Sequence, residues 1–152
     1  MAQFGRKSNE KIDQCHSDWR AILDRVIKII DLSVYEGHRP VFIQQELYAI
    51  GRTVELDRKP VTKIDGVRIK GKHNYKPSLA IDCAPYPISF SSDSKKVARF
   101  YYLAGVIKAV ATELKKEGLI TSTVRWGGDW DGDNDFEDQT FDDLCHFELK
   151  FD

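Results

Sequence analysis

The sequence predicts an α+β fold, with helices packed on one face of a small, mainly antiparallel sheet. Two long stretches carry apolar residues at helical spacing, one near the start and one in the second half. Short β-branched or apolar runs bounded by proline and glycine lie between and after them. The order is helices first, then strands interrupted by one long helix. That lacks the regular strand–helix alternation of a parallel sheet and suits segregated layers.

Residues 1–16 are polar and read as irregular chain or a short helix. From Ser17, the repeat Trp19, Ile22, Leu23, Val26, Ile29, Ile30 predicts an amphipathic helix over 17–31, with Ser17 as its N-cap. Ser33 to His38 is a short strand candidate. Pro40 suits the first turn of a helix over Val41–Ile50, which Gly51 ends. Residues 52–72 are charged and carry Pro60 and Gly66, a surface excursion with a small hairpin expected around Val67–Ile69. Leu79–Ala84, between Pro77 and Pro85, is the next strand, with a further short piece over Tyr86–Phe90. The Ser91–Ser94 cluster caps the longest helix, 94–117, which aligns Val97, Tyr101, Ala104, Ile107, Ala111 and Leu114 on one face. Lys115, Lys116 and Gly118 end it. Thr121–Trp126 reads as a strand. The segment Asp143–Leu149 carries the last one, assigned over His146–Lys150.

With 152 residues the chain reads as a single domain, 41% hydrophobic and 31% charged. A net charge of −1 gives no electrostatic case for nucleic acid or an anionic membrane. Val97–Leu114 is broken by Arg99, Lys108 and Glu113, so no membrane insertion is expected. Cys15, Cys83 and Cys145 have neither the number nor the spacing of a disulfide framework. The first residues contain no apolar signal region.

The chemistry is concentrated in His73, Asp82 and His146. Taken alone, His73 and Asp82 favour an ordinary His–Asp hydrogen bond at a strand end. His146 changes the balance, because two imidazoles and a carboxylate suit zinc, with room left for water. Side chains alternate along strands. If Asp82 and His146 share a cleft, Cys83 and Cys145 are therefore expected to face the core. An acid three residues before His146, Asp143, is positioned to serve as general base. His16 is expected to be solvated and His38 turned away. The acidic run from Asp129 to Asp138 lacks the glycine and glutamate of an EF-hand loop. It reads first as a solvated loop, with a regulatory calcium site as the lesser reading. Trp126 and Trp130 are expected to wall the cleft.

Four motifs in order carry a resemblance: Glu36-Gly37-His38-Arg39 with Gln44, Gly71 to Asp82 with Ala84-Pro85-Tyr86, Trp126 to Trp130, and Asp143 to Leu149. Together they resemble the VanY-type zinc peptidoglycan peptidases. That family includes D-alanyl-D-alanine carboxypeptidases and the L-alanyl-D-glutamate endopeptidases used as phage endolysins. The resemblance runs from about Trp19 to Leu149 and implies a fold of the hedgehog/DD-peptidase type. It also implies His73, Asp82 and His146 as zinc ligands, Asp143 as base, and Arg39 as the group stabilising the developing oxyanion. Gln44, Trp126 and Trp130 would be substrate-side residues, with Gln44 orienting the arginine loop. Ser78 stands where the family usually has glycine, and Cys145 where it often has proline or glycine.

The function this implies is an endolysin cleaving the L-alanyl–D-glutamate bond of peptidoglycan stem peptides. It would be a monomer, made in the host cytoplasm and released to the periplasmic wall by a holin. The lack of a wall-binding domain would suit a Gram-negative target. A D,D-carboxypeptidase or dipeptidase, and a non-catalytic wall-binding module on the same scaffold, are the alternatives.

Overall fold

The computed structural model describes every residue from Met1 to Asp152. Its elements are α1 (Arg6–Ile12), α2 (Ser17–Val26), β1 (Leu32–Glu36), α3 (Val41–Ala49), a 3-10 turn (Lys72–Asn74), β2 (Ala80–Pro85), α4 (Ser94–Lys116), β3 (Thr123–Gly127) and β4 (Asp143–Lys150). The strands form one open sheet in the order β1-β2-β4-β3, antiparallel at every pairing. The fold class is the expected α+β, with the sheet wholly antiparallel.

The core lies between the sheet and helices α2 and α4. Trp19, Ile22, Leu23 and Val26 of α2 meet Leu103, Ile107, Ala111 and Leu114 of α4. Val34, Ile81, Cys83, Phe147 and Leu149 rise into the same cluster from the sheet. Alternate positions on β2 and β4 therefore face the other way, and that face holds Asp82, His146 and Glu148.

Several boundaries differ from expectation for physical reasons. Helix α2 ends at Val26 and continues only as turns, and Ile29, the next member of its apolar repeat, is exposed. Its cap is His16, whose Nδ1 accepts from the Asp18 amide at 3.2 Å, so His16 is a half-buried capping residue. Asp18 Oδ2 ties α2 to the approach to β3, accepting from the Thr121 and Ser122 amides and from Ser122 Oγ at 3.2, 3.1 and 2.7 Å. The hairpin expected at Val67–Ile69 is a tight turn, closed by Asp65 Oδ1 accepting from the amides of Val67, Arg68 and Ile69. Gly66 adopts φ +78 there, and a Cβ would meet Gln44 Cγ at 3.0 Å, so the turn packs directly on α3. Residues 86–90 form no strand. Helix α4 follows its prediction closely, with Asp93 capping the Lys95 and Lys96 amides.

Candidate metal centre and its cleft

The register of the central strands builds the site. Asp82 on β2 and His146 on β4 are direct cross-strand partners on the solvent-side face of the sheet. His73 comes from the 3-10 turn, which is held in place by Asn74. Its Oδ1 accepts from the Gly71 amide at 2.9 Å, and its Nδ2 donates to the Arg39 carbonyl at 3.1 Å. The Arg39 amide donates back to the His73 carbonyl at 2.8 Å, coupling the end of β1 to the turn.

Three donor atoms meet as a nearly equilateral triangle. His73 Nε2, His146 Nδ1 and Asp82 Oδ1 stand 3.2 Å apart on each side. Tetrahedral geometry with that edge places a centre about 2.0 Å from each vertex, the usual zinc–nitrogen and zinc–oxygen distance. Each imidazole is oriented through its other nitrogen. His73 Nδ1 lies 2.7 Å from the Gly37 carbonyl oxygen, which leaves Nε2 free to coordinate. His146 Nε2 lies 3.1 Å from Glu148 Oε2. Glu148 is buried and bound by Arg125, whose Nε donates to Oε1 at 2.8 Å.

The electrostatics of the triangle favour charge on its own members. Burial works against charge on His146, yet hydrogen bonds to Asp82 and Glu148 outweigh it and raise the imidazole to about 9. Burial likewise opposes ionisation of Asp82, and its contacts with His146 and His73 still hold the carboxyl well below the usual range. Glu148 is lowered against the effect of burial by His146 and Arg125. In the metal-free triangle a proton on His146 therefore occupies the place for which a metal ion would compete.

Around the triangle lies a cleft of about 390 Å³ whose lining includes Arg39, Gln44, Trp130 and Asp143. Arg39 Nη1 donates to Gln44 Oε1 at 3.0 Å, and Gln44 Nε2 donates to the Ile64 carbonyl at 2.8 Å. Arg39 Nη2 stands 3.8 Å from Asp82 Oδ2, while its buried Nε has no hydrogen-bond partner. Asp143 opens β4, opposite Gly127, where a Cβ would collide with the Asp143 backbone carbonyl. The ring of Trp130 is tilted over His146 at 5.6 Å, and its Nε1 donates to the Phe141 carbonyl at 2.8 Å.

Two expectations are corrected. Trp126 is not a cleft wall: it is 1% exposed, stacks on Phe147 and donates from Nε1 to the Leu144 carbonyl at 2.8 Å. Cys83 is fully buried in the core as expected, but Cys145 is only half-buried and its thiol donates to Asp143 Oδ1 at 3.2 Å. The reason is a break in register, with Trp126 opposite Phe147 but Gly127 opposite Asp143, so alternation fails between them. Leu144, rather than Cys145, packs against the core.

His38 is turned from the triangle, with Nδ1 2.9 Å from the Tyr75 carbonyl. In the acidic loop, carboxylates of Asp129, Asp131 and Asp133 converge, but Lys108 Nζ already donates to Asp129 Oδ2 at 3.0 Å and Asn134 Oδ1 at 3.2 Å. The chain thus supplies its own cation to this loop, and nothing there supports calcium.

Sequence reasoning missed Arg125, Glu148 and Ser78 as supports of the centre. Ser78 Oγ lies 3.2 Å from the same Gly37 carbonyl that orients His73. Glu148 was findable, because it sits two residues after His146 on one strand face.

An open antiparallel sheet carrying a two-histidine, one-aspartate triangle on the floor of a polar cleft defines the class: an α+β protein built around a candidate metal centre. The family model for phage L-alanyl-D-glutamate peptidases matches residues 1–150, and the chain belongs to that family of peptidoglycan-cleaving hydrolases. Its fold is similar to the crystal structure of Serratia marcescens L-Ala D-Glu endopeptidase ChiX. The TM-score is 0.62 at 21% identity, covering 97% of this chain and 89% of that one. No curated protein sequence matches the chain significantly.

Proposed function

We propose that the chain is a zinc-dependent endopeptidase that cuts the L-alanyl–D-glutamate bond of peptidoglycan stem peptides during phage-induced host lysis. The observation that carries this is the 3.2 Å triangle of His73, Asp82 and His146 in a cleft also lined by Asp143 and Arg39. A zinc ion held by these three residues would polarise the scissile carbonyl and acidify the attacking water. Asp143 would take the proton from that water on a carboxylate oxygen and pass it to the leaving amine. Arg39, pinned through Gln44 and standing 3.8 Å from Asp82, would offer fixed positive charge to the developing oxyanion. Trp130 would shield the His146 side of the cleft and give the peptide an apolar surface.

No helix is long and apolar enough to cross a membrane. The chain would act as a monomer, made in the host cytoplasm and admitted to the periplasmic wall by a holin.

The test combines metal content, chelation and product analysis. One zinc per chain, loss of murein cleavage on chelation, and new N-terminal D-glutamate by mass spectrometry are expected. The Asp143→Asn variant should retain zinc and lose activity by at least about a hundredfold. Free D-alanine as the main product would point to a carboxypeptidase instead. Undiminished lysis by Asp143→Asn would remove the base assignment.

A further inference from the structure

The cleft has two chemically different walls. On the His146 side stands Trp130, with the Arg125 guanidinium 5.6 Å from its ring centre. On the other side the segment Lys70–Lys72 runs directly into His73. Both of its ammonium groups gather over one ring, with Lys70 Nζ 4.2 Å and Lys72 Nζ 5.8 Å from the Tyr75 centroid. Both lysines line the cleft.

The other cations of the cleft are engaged. Arg125 is bound to Glu148, and Arg39 lies between Gln44 and Asp82. Lys70 and Lys72 have no carboxylate partner in the chain. A net charge of −1 over the whole molecule does not predict two ammonium groups without a carboxylate partner, two residues apart on the wall of this cleft. Such a pair concentrates positive potential where an anionic group of the substrate would lie.

The chemistry of the proposed scissile bond supplies that group. D-glutamate joins L-alanine through its amine and continues the stem through its γ-carboxyl. Its α-carboxyl therefore hangs from the carbon bonded to the scissile nitrogen, so a group there cannot be far from the centre. In some walls this α-carboxyl is free, and in others it is an amide. Lysine is a point charge with several donors and suits a carboxylate. An amide offers no charge and a single carbonyl acceptor in place of two carboxylate oxygens.

We infer that Lys70 and Lys72 form a carboxylate subsite selecting stem peptides whose D-glutamate α-carboxyl is free over those amidated at that position. This rests on the bond assigned under the proposed function.

The test uses the zinc-loaded full chain and two synthetic stem peptides, one with D-glutamate and one with D-isoglutamine, otherwise identical. The parent should cleave the acid peptide with kcat/KM about tenfold or more above the amide, chiefly through KM. The Lys70→Met/Lys72→Met double variant should bring that ratio to about one, and Lys72→Arg should largely keep it. Peptide binding to the Asp143→Asn variant, read by calorimetry, should show the same preference without turnover. Equal cleavage of both peptides by the parent at the alanyl–glutamate bond overturns the subsite and leaves the bond assignment standing. A double variant that keeps the preference overturns it too. Release of D-alanine with that bond intact overturns the bond assignment first, and the subsite with it.

Discussion

The thiol of Cys145 donates to Asp143 Oδ1 across 3.2 Å, so the proposed general base is held by its own strand. Burial, with Asp143 nearby, pushes the thiol up to about 12, which keeps it a neutral donor at working pH. Cys145→Ala should lower kcat roughly two- to tenfold, with KM and zinc content unchanged. Cys145→Ser keeps a donor and should stay nearer the parent. An unaltered kcat in Cys145→Ala would show that the contact does not position the base.

Glu148 sits behind His146 with Arg125 behind it, a chain of contacts that sets the imidazole tautomer. Glu148→Gln should weaken zinc binding about 10- to 100-fold, measured by competition with a chromophoric chelator. Zinc affinity equal to the parent's would assign the Glu148–Arg125 pair to packing alone.

His146 makes the metal-free protein sensitive to pH. Its charged form is favoured up to about 9, above an ordinary value of 6.5. The sign follows from linkage: stabilisation by the charged imidazole is complete below about 6.5 and lost as pH rises through about 9. Asp82 is lowered, so its contribution persists at neutral pH and is lost only in strong acid. The Tm of chelator-stripped protein should therefore fall between about pH 6.5 and 9, while apparent zinc affinity rises as the competing proton leaves. Calorimetry of the stripped form across that window decides it, and a flat Tm would contradict the assignment.

The two tryptophans should separate cleanly. Trp126→Ala removes a fully buried ring packed on Phe147 and should cost about 3–5 kcal/mol in denaturant unfolding. Trp130→Ala, on the cleft, should raise KM several-fold with little change in the unfolding midpoint. Similar stability losses in both would mean that Trp130 also anchors the fold.

Much of this was legible in the chain before its structure. The apolar period of 94–117 located α4 to within a residue, and the proline-bounded run before Pro85 located β2. His73 and Asp82 do converge with His146, which lies 64 residues beyond Asp82. What periodicity could not show was the break in register at the start of β4. A rule of strict alternation placed Cys145 in the core, whereas the structure turns it to Asp143. Trp126 misled for a related reason. Aromatic residues in a glycine-rich run suggest a cleft, but this one belongs to β3 and points into the layer beneath α4. The Glu148–Arg125 pair depends on cross-strand pairing, which a single sequence does not reveal.

The convergence of His73, Asp82 and His146 also bears on how the chain is tied together. Asp82 lies nine residues from His73 and 64 from His146 along the sequence, so an ion bridging them closes a short loop and a long one at once. The long loop contains all of α4 and β3, which supply much of the core. A cross-link of that span restricts the unfolded chain as well as completing the cleft. Stripping the ion would then loosen the whole domain, and folding and chemistry would share one point of failure.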